Sequence, residues 1–161
     1  GAWTIFMDVK DFTIDSNATN TGHFFFRGAP NNNVSCLFFF GTCFGYRGTT
    51  GSNEYMCNQL GTNGSVFSGK WAVVYDGTNT MNLYVNGSLA TTITNADPDF
   101  CAGIQSGKLL YDSSVSRPRK RINQLIIFNS AISDIDALVL TDTNYESYSE
   151  MLNSLSYTSH G

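Results

Sequence analysis

The chain has 161 residues, a formal charge of −4, and 42% apolar, 14% aromatic and 14% charged residues. That length suits one domain, in which folding buries roughly two-thirds of the extended chain's surface. Its 12 Phe, 8 Tyr and 2 Trp exclude a disordered chain, and apolar runs such as Cys36–Phe40 end at five residues, far short of the roughly 18–20 of a membrane span. The acidic balance argues against a duplex nucleic-acid binder, which needs a basic face. Lys and Glu are scarce while Asn, Ser, Thr and Gly are plentiful, a mix suited to strands joined by polar turns. The start Gly1-Ala2-Trp3-Thr4 runs straight into strand-like sequence with no basic-then-apolar leader, so we expect a domain excised from a larger protein.

Strand signals recur along the chain between Gly/Asn/Asp/Thr clusters. Trp3–Lys10 mixes β-branched and aromatic residues. His23–Gly28 and Val34–Gly41 each carry a Phe triplet, Phe24–Phe26 and Phe38–Phe40, which puts aromatic rings on both faces of a strand. Thr42–Ser68 is polar and Gly-rich, with weaker strand signals at Cys43–Tyr46, Glu54–Cys57 and Val66–Phe67. The clearest pattern follows: Trp71–Tyr75 is a strand, Asp76–Thr80 a turn, Met81–Val85 a second strand, Asn86-Gly87 a type I′ hairpin signal, and Ser88–Thr94 a third strand. Asn95–Lys120 is polar, with a short strand expected at Phe100–Gln105, and Ile122–Phe128 reads as a buried strand. Ser133 then caps a helix with Asp136 at its third position, and Ala137, Leu138, Leu140, Tyr145, Tyr148, Met151, Leu152 and Leu155 continue it as a helical tail. The expected architecture is all-β: an antiparallel two-sheet β-sandwich over 1–161 as a single domain, with a short C-terminal helical segment.

Trp71–Gly87, read as Trp-x-x-Val-x-Tyr-Asp-Gly-x-x-x-x-Leu-Tyr-Val-Asn-Gly, resembles the central hairpin of the laminin G-like and concanavalin A-like jelly-roll lectins. A second match, Ile122-Asn-Gln-Leu-Ile-Ile-Phe-Asn-Ser-Ala-Ile-Ser133, resembles the strand that closes the sandwich before a short helix, and Trp3–Val9 looks like the family's early strand. The chain departs from the family in lacking a strand before Trp3 and in reading Ile122-Asn123-Gln124 where relatives are acidic. The resemblance implies a jelly-roll fold, and by analogy a lectin-like module on an extracellular, cell or virion surface.

Some jelly-roll relatives are glycan hydrolases, which need two carboxylates roughly 5–5.5 or 6.5–9.5 Å apart. The three glutamates, Glu54, Glu146 and Glu150, have no acidic residue two positions away, and Asp134 and Asp136 belong to the helix start. No enzyme is expected. Carbohydrate binding needs less: an aromatic ring to stack on a hexose face and amide or carboxylate side chains for its hydroxyls. The candidates are Tyr46, Tyr55 and Tyr111 with Asn53, Asn58 and Gln59, although loop tyrosines more often just cover a core edge. Arg117–Arg121 holds four of the nine Lys and Arg. Its Arg117 and Arg119 suit the acidic groups of a glycan, while the commoner role of such a run is a solvated loop.

No cofactor is expected, with calcium the alternative through Asp97, Asp99 and Asp112, whose oxygens suit that ion but also make turns. Cys36, Cys43, Cys57 and Cys101 lack the spacing of a zinc site; Cys36 and Cys43 either face each other across a hairpin as a disulfide or remain buried thiols. The partner expected is a host or cell-surface glycan. A homo-oligomer or other domains of the parent protein are the further partners, and an assembly module with no sugar site is the competing reading. Neither nucleic acid nor a membrane span enters it.

Overall fold

Side-chain alternation along the first strand sets the plan of the molecule. In a computed structural model, which describes residues 1–13, 23–27, 36–40, 43–47, 53–56, 66–96, 108–111, 121–145 and 149–150, Trp3, Ile5, Met7 and Val9 are buried on one face of that strand and Thr4 and Phe6 on the other. A strand buried on both faces reads as a nearly continuous apolar run, as this one does.

The strands in chain order are β1 (Trp3–Thr13), β2 (His23–Arg27), β3 (Cys36–Phe40), β4 (Cys43–Arg47), β5 (Asn53–Met56), β6 (Val66–Tyr75), β7 (Met81–Val85), β8 (Ser88–Ile93), β9 (Lys108–Tyr111) and β10 (Arg121–Phe128), followed by a helix, α1 (Asp134–Leu140). They form two five-stranded sheets, β10-β1-β6-β7-β8 and β5-β4-β3-β2-β9. All four pairings of the second sheet are antiparallel, as are β6·β7 and β7·β8 in the first. The chain is therefore all-β with a short helix. Of the described residues, those in Gly1–Val9, Gly69–Thr94 and Ile122–Gly161 make one compact unit, and those in Lys10–Ser68 and Asn95–Arg121 a second.

In the first unit one sheet face packs against α1. Phe6, Ala72, Val74 and Tyr84 meet Ala137 and Leu140, with Ile126, Phe128, Ile132 and Tyr145 at the margin. The opposite face carries Trp3, Trp71, Val73, Tyr75, Met81 and Leu83, all buried. Trp3 and Tyr75 stack there as a tilted pair, with ring centroids 5.6 Å apart. Thr4, the buried polar residue of β1, donates its hydroxyl to the Ser130 carbonyl at 2.9 Å and accepts the Ile132 N–H at 3.1 Å, so its burial leaves no unmet bond.

Local sequence chemistry accounts for the turns and the helix. Asp76 Oδ1 accepts the N–H groups of Thr78, Asn79 and Thr80, closing the β6–β7 turn. These bonds, those from Thr80 and Thr78 foremost, hold its carboxyl below the ordinary carboxylate range. Asn86 and Gly87 have φ of 49° and 77°, the two positive values that a type I′ turn demands. Ser133 caps α1 by accepting the Asp136 N–H at 3.1 Å while its hydroxyl donates to Asp136 Oδ2 at 2.7 Å.

The structure departs from expectation in four places. Val66–Phe67 and Trp71–Tyr75 are one strand, because Gly69 and Lys70 continue β6 between them. The polar segment yields a strand at Lys108–Tyr111, paired with β2, while the expected strand at Phe100–Gln105 lies outside the described residues. The helix does not run unbroken into the tail: it stops at Leu140, where the Thr141 hydroxyl turns back to the Ala137 carbonyl at 2.8 Å, and helix is found again at Ser149 and Glu150, while Tyr148, Met151, Leu152 and Leu155 lie outside the described residues. Finally, Cys43 stands opposite Phe40 and Cys36 opposite Arg27. Cys36 is thus four residues, about 13 Å, along β3 from Cys43's partner, beyond the roughly 7 Å that a disulfide spans between Cα atoms. Among the described residues no helix is long and apolar enough to cross a membrane.

Candidate functional site

Strand pairing distributes the sequence-derived candidates over the second sheet. Tyr46 of β4 stands between Leu37 and Glu54, Asn53 of β5 opposite Arg47, and Tyr55 opposite Gly45. Tyr46, Asn53 and Tyr55 are therefore register neighbours at the β5 edge. Tyr111 of β9 is opposite Phe24, and the row continues through Phe38 and Gly45 to Tyr55. β9 is the other edge of that sheet. Four strand spacings of ~4.8 Å separate Tyr111 from Tyr55 by about 19 Å, more than one sugar ring covers. By strand alternation Asn53 and Tyr55 share one face of the sheet, Tyr46 belongs to the other face, and Tyr111 is set apart at the far edge. Asn58, Gln59, Arg117 and Arg119, and the calcium candidates Asp97, Asp99 and Asp112, lie outside the described residues.

The first unit contains polar groups that sequence reading did not single out. Lys70 is buried, and its ammonium donates to the Asp142 carbonyl at 2.9 Å and to the Tyr145 carbonyl. Its backbone N–H donates to Asn86 Oδ1 at 2.9 Å. These bonds tie β6 to the turn after β7 and to the segment following α1. At the β7–β8 edge the Tyr84 hydroxyl donates to Asp134 Oδ1, Asn82 Nδ2 donates to the Tyr84 oxygen at 3.4 Å, and the Thr92 hydroxyl donates to Asn82 Oδ1 at 2.7 Å. Burial, then the Asp134 carboxylate, pushes the Tyr84 hydroxyl up to about 12. Alternation along β7 was the signal that set Asn82 and Tyr84 on one face. Asp134, fifty positions from Tyr84, gave no local signal.

Of the helix-start carboxylates, Asp134 receives the Tyr84 hydroxyl and Asp136 the Ser133 hydroxyl. Among the described residues no group of three or more His, Cys, Asp or Glu gathers as a metal site.

No protein-family model matches the sequence, and no curated protein matches it. The fold does have solved counterparts. It is similar to that of toxin binding domains. The botulinum neurotoxin serotype D binding domain aligns with a TM-score of 0.60 at 13% identity over 87% of this chain and 36% of that one. The binding domain of Paraclostridial Mosquitocidal Protein 1 aligns at 0.63 and 12% over 91% and 38%. A botulinum neurotoxin type C, whose passage into cells depends upon interaction with two ganglioside molecules, aligns at 0.57 and 16% over 98% and 36%. The chain thus spans little more than a third of each counterpart. At such identities the likeness is one of fold, and the counterparts named are binding domains rather than catalytic ones.

Proposed function

We propose that the chain is a non-catalytic carbohydrate-binding module, a two-sheet jelly-roll sandwich of the laminin G/concanavalin A-like class, serving as one domain of a larger protein on an extracellular, cell or virion surface. The observation that carries this reading is the fold likeness over 87–98% of the chain to toxin binding domains, one of them from a ganglioside-dependent toxin. Two further observations support it. The turn and hairpin residues behind the lectin resemblance, Asp76, Asn86 and Gly87, adopt the geometry that resemblance implies. Tyr46, Asn53 and Tyr55 are register neighbours at one sheet edge.

In this reading a tyrosine at that edge stacks on the sugar face and the Asn53 amide takes a hydroxyl, with Asn58 and Gln59 contributing from the following segment. Arg117 and Arg119 select acidic glycans, and Tyr111 serves a separate contact. Single-site affinity is weak and gains strength by repeated display. A calcium ion on Asp97, Asp99 and Asp112 would appear as a Tm lowered by EDTA and restored by calcium.

The test is a glycan array probed with the purified chain, with its oligomeric state measured in parallel. Selective, saturable binding that Tyr46→Ala or Tyr55→Ala weakens by about tenfold is expected. A tight oligomer that binds no glycan would overturn the carbohydrate reading in favour of an assembly module.

A further inference from the structure

The helix-covered face of the first sheet continues past the helix at its β7–β8 edge. There Asn82 stands opposite Thr92 and Tyr84 opposite Leu89. The register shift between Leu83 and Tyr84 adds one residue to β8, so Leu89 and Thr92, three positions apart, fall on the same face. The hydrogen bonds across this patch all run one way: Thr92 O–H to Asn82, Asn82 N–H to Tyr84, Tyr84 O–H to Asp134.

Each link uses one bonding position and leaves others facing water. Among the described residues, Thr92 Oγ1 keeps its acceptor pairs, Asn82 its second amide N–H, and Asp134 its second carboxylate oxygen. Because the chain of bonds orients these atoms in advance, a ligand meets them already ordered, which reduces the entropy cost of binding. Apolar surface borders the polar row. Leu89, opposite Tyr84, is 51% exposed.

An acceptor, an amide donor and a carboxylate oxygen beside aliphatic surface complement a pyranose, which offers neighbouring hydroxyls, each donor and acceptor, around a C–H face. We infer that Thr92, Asn82 and Asp134, linked through Tyr84 and bordered by Leu89, form a shallow contact for a neutral hexose. The Asp134 carboxylate at one end selects against sugars carrying acidic groups at this contact. This contact rests on the carbohydrate reading above and is separate from the Tyr46–Tyr55 edge, which belongs to the other sheet.

The test titrates methyl β-galactoside, methyl α-mannoside and sialyllactose into isotope-labelled chain, wild type and variant, following the Asn82 side-chain amide by NMR. Thr92→Val keeps the β-branched shape, and Asp134→Asn keeps an oxygen for the Tyr84 hydroxyl, so both variants should fold with unchanged Tm. A neutral glycoside is expected to shift the Asn82 resonance, and each substitution to weaken it about tenfold, the worth of roughly one hydrogen bond. Binding of a neutral glycoside that survives both substitutions but is lost in Tyr46→Ala or Tyr55→Ala overturns this site and leaves the carbohydrate reading standing. Preference for sialyllactose at Asn82 overturns the assignment to neutral sugars. Failure of all three sugars, together with an empty glycan array, overturns the carbohydrate reading and this contact with it.

Discussion

Gly69→Ala is the sharpest probe of how β6 is held. An ideal Cβ at Gly69 would stand 2.3 Å from Asn86 Oδ1 and 3.0 Å from its Cγ and Nδ2. Asn86 cannot simply turn away, because the same Oδ1 accepts the Lys70 N–H at 2.9 Å while the Asn86 N–H donates to the Lys70 carbonyl at 2.9 Å. Relief requires breaking the Oδ1 bond, which leaves a part-buried backbone N–H unmet at a cost of about 1–3 kcal/mol. With residual crowding the substitution should cost about 2–3 kcal/mol, a Tm lowered by roughly 4–12 °C for a domain of this size. Asn86→Gly removes the same bond and suits the φ of 49° there. In that background Gly69→Ala should cost under about 1 kcal/mol. Thermal and urea unfolding of the four proteins in the cycle measure the coupling, expected at about 1–2 kcal/mol. Simple additivity would refute the argument, since it would mean that Asn86 is not what Gly69 makes room for.

Three further outcomes are expected. The Tyr84 hydroxyl titrates near 12 against an ordinary 10.0, so the stability it contributes is complete below pH 10 and is lost as pH rises toward 12; Tyr84→Phe should flatten the fall of Tm with pH across that window, as followed by circular dichroism. Ser133→Ala should cost about 1 kcal/mol through loss of the helix cap, whereas Ser133→Asp should be nearly neutral, both read from urea midpoints. Mass spectrometry of non-reduced, alkylated digests should find no Cys36–Cys43 linkage, and a stoichiometric yield of it would refute the β3–β4 register.

What was legible in the sequence was what neighbouring residues decide among themselves. Asn86-Gly87, Asp76-Gly77 and Ser133-x-x-Asp136 act within a turn or a cap, and all three are found as read. What distant partners decide was not legible. Gly69 and Lys70 carry no strand signal of their own, and Asn86 and Tyr145 supply their contacts. Four residues, Lys108–Tyr111, form a strand because β2 offers them an edge. The apolar periodicity after Leu140 does not show the break at Thr141, whose hydroxyl ends the helix and lets Tyr145 pack back on the core before helix is found again at Ser149 and Glu150. The candidate site divides in the same way. Residue type pointed to tyrosines and asparagines, and pairing then put Asn53 and Tyr55 on one sheet face, Tyr46 on the other, and Tyr111 at the far edge.

Thr4 binds Ser130 and Ile132, more than 120 positions away, and β1 lies in its sheet between β6 and β10. During translation this strand emerges apolar on both faces, and its edge toward β10 stays unpaired until residues 121–128 have left the ribosome. Contacts of such long sequence separation slow folding and lengthen the time at risk of aggregation. Yield in a recombinant host should therefore respond to elongation rate and chaperone supply more than to the final stability of the folded chain.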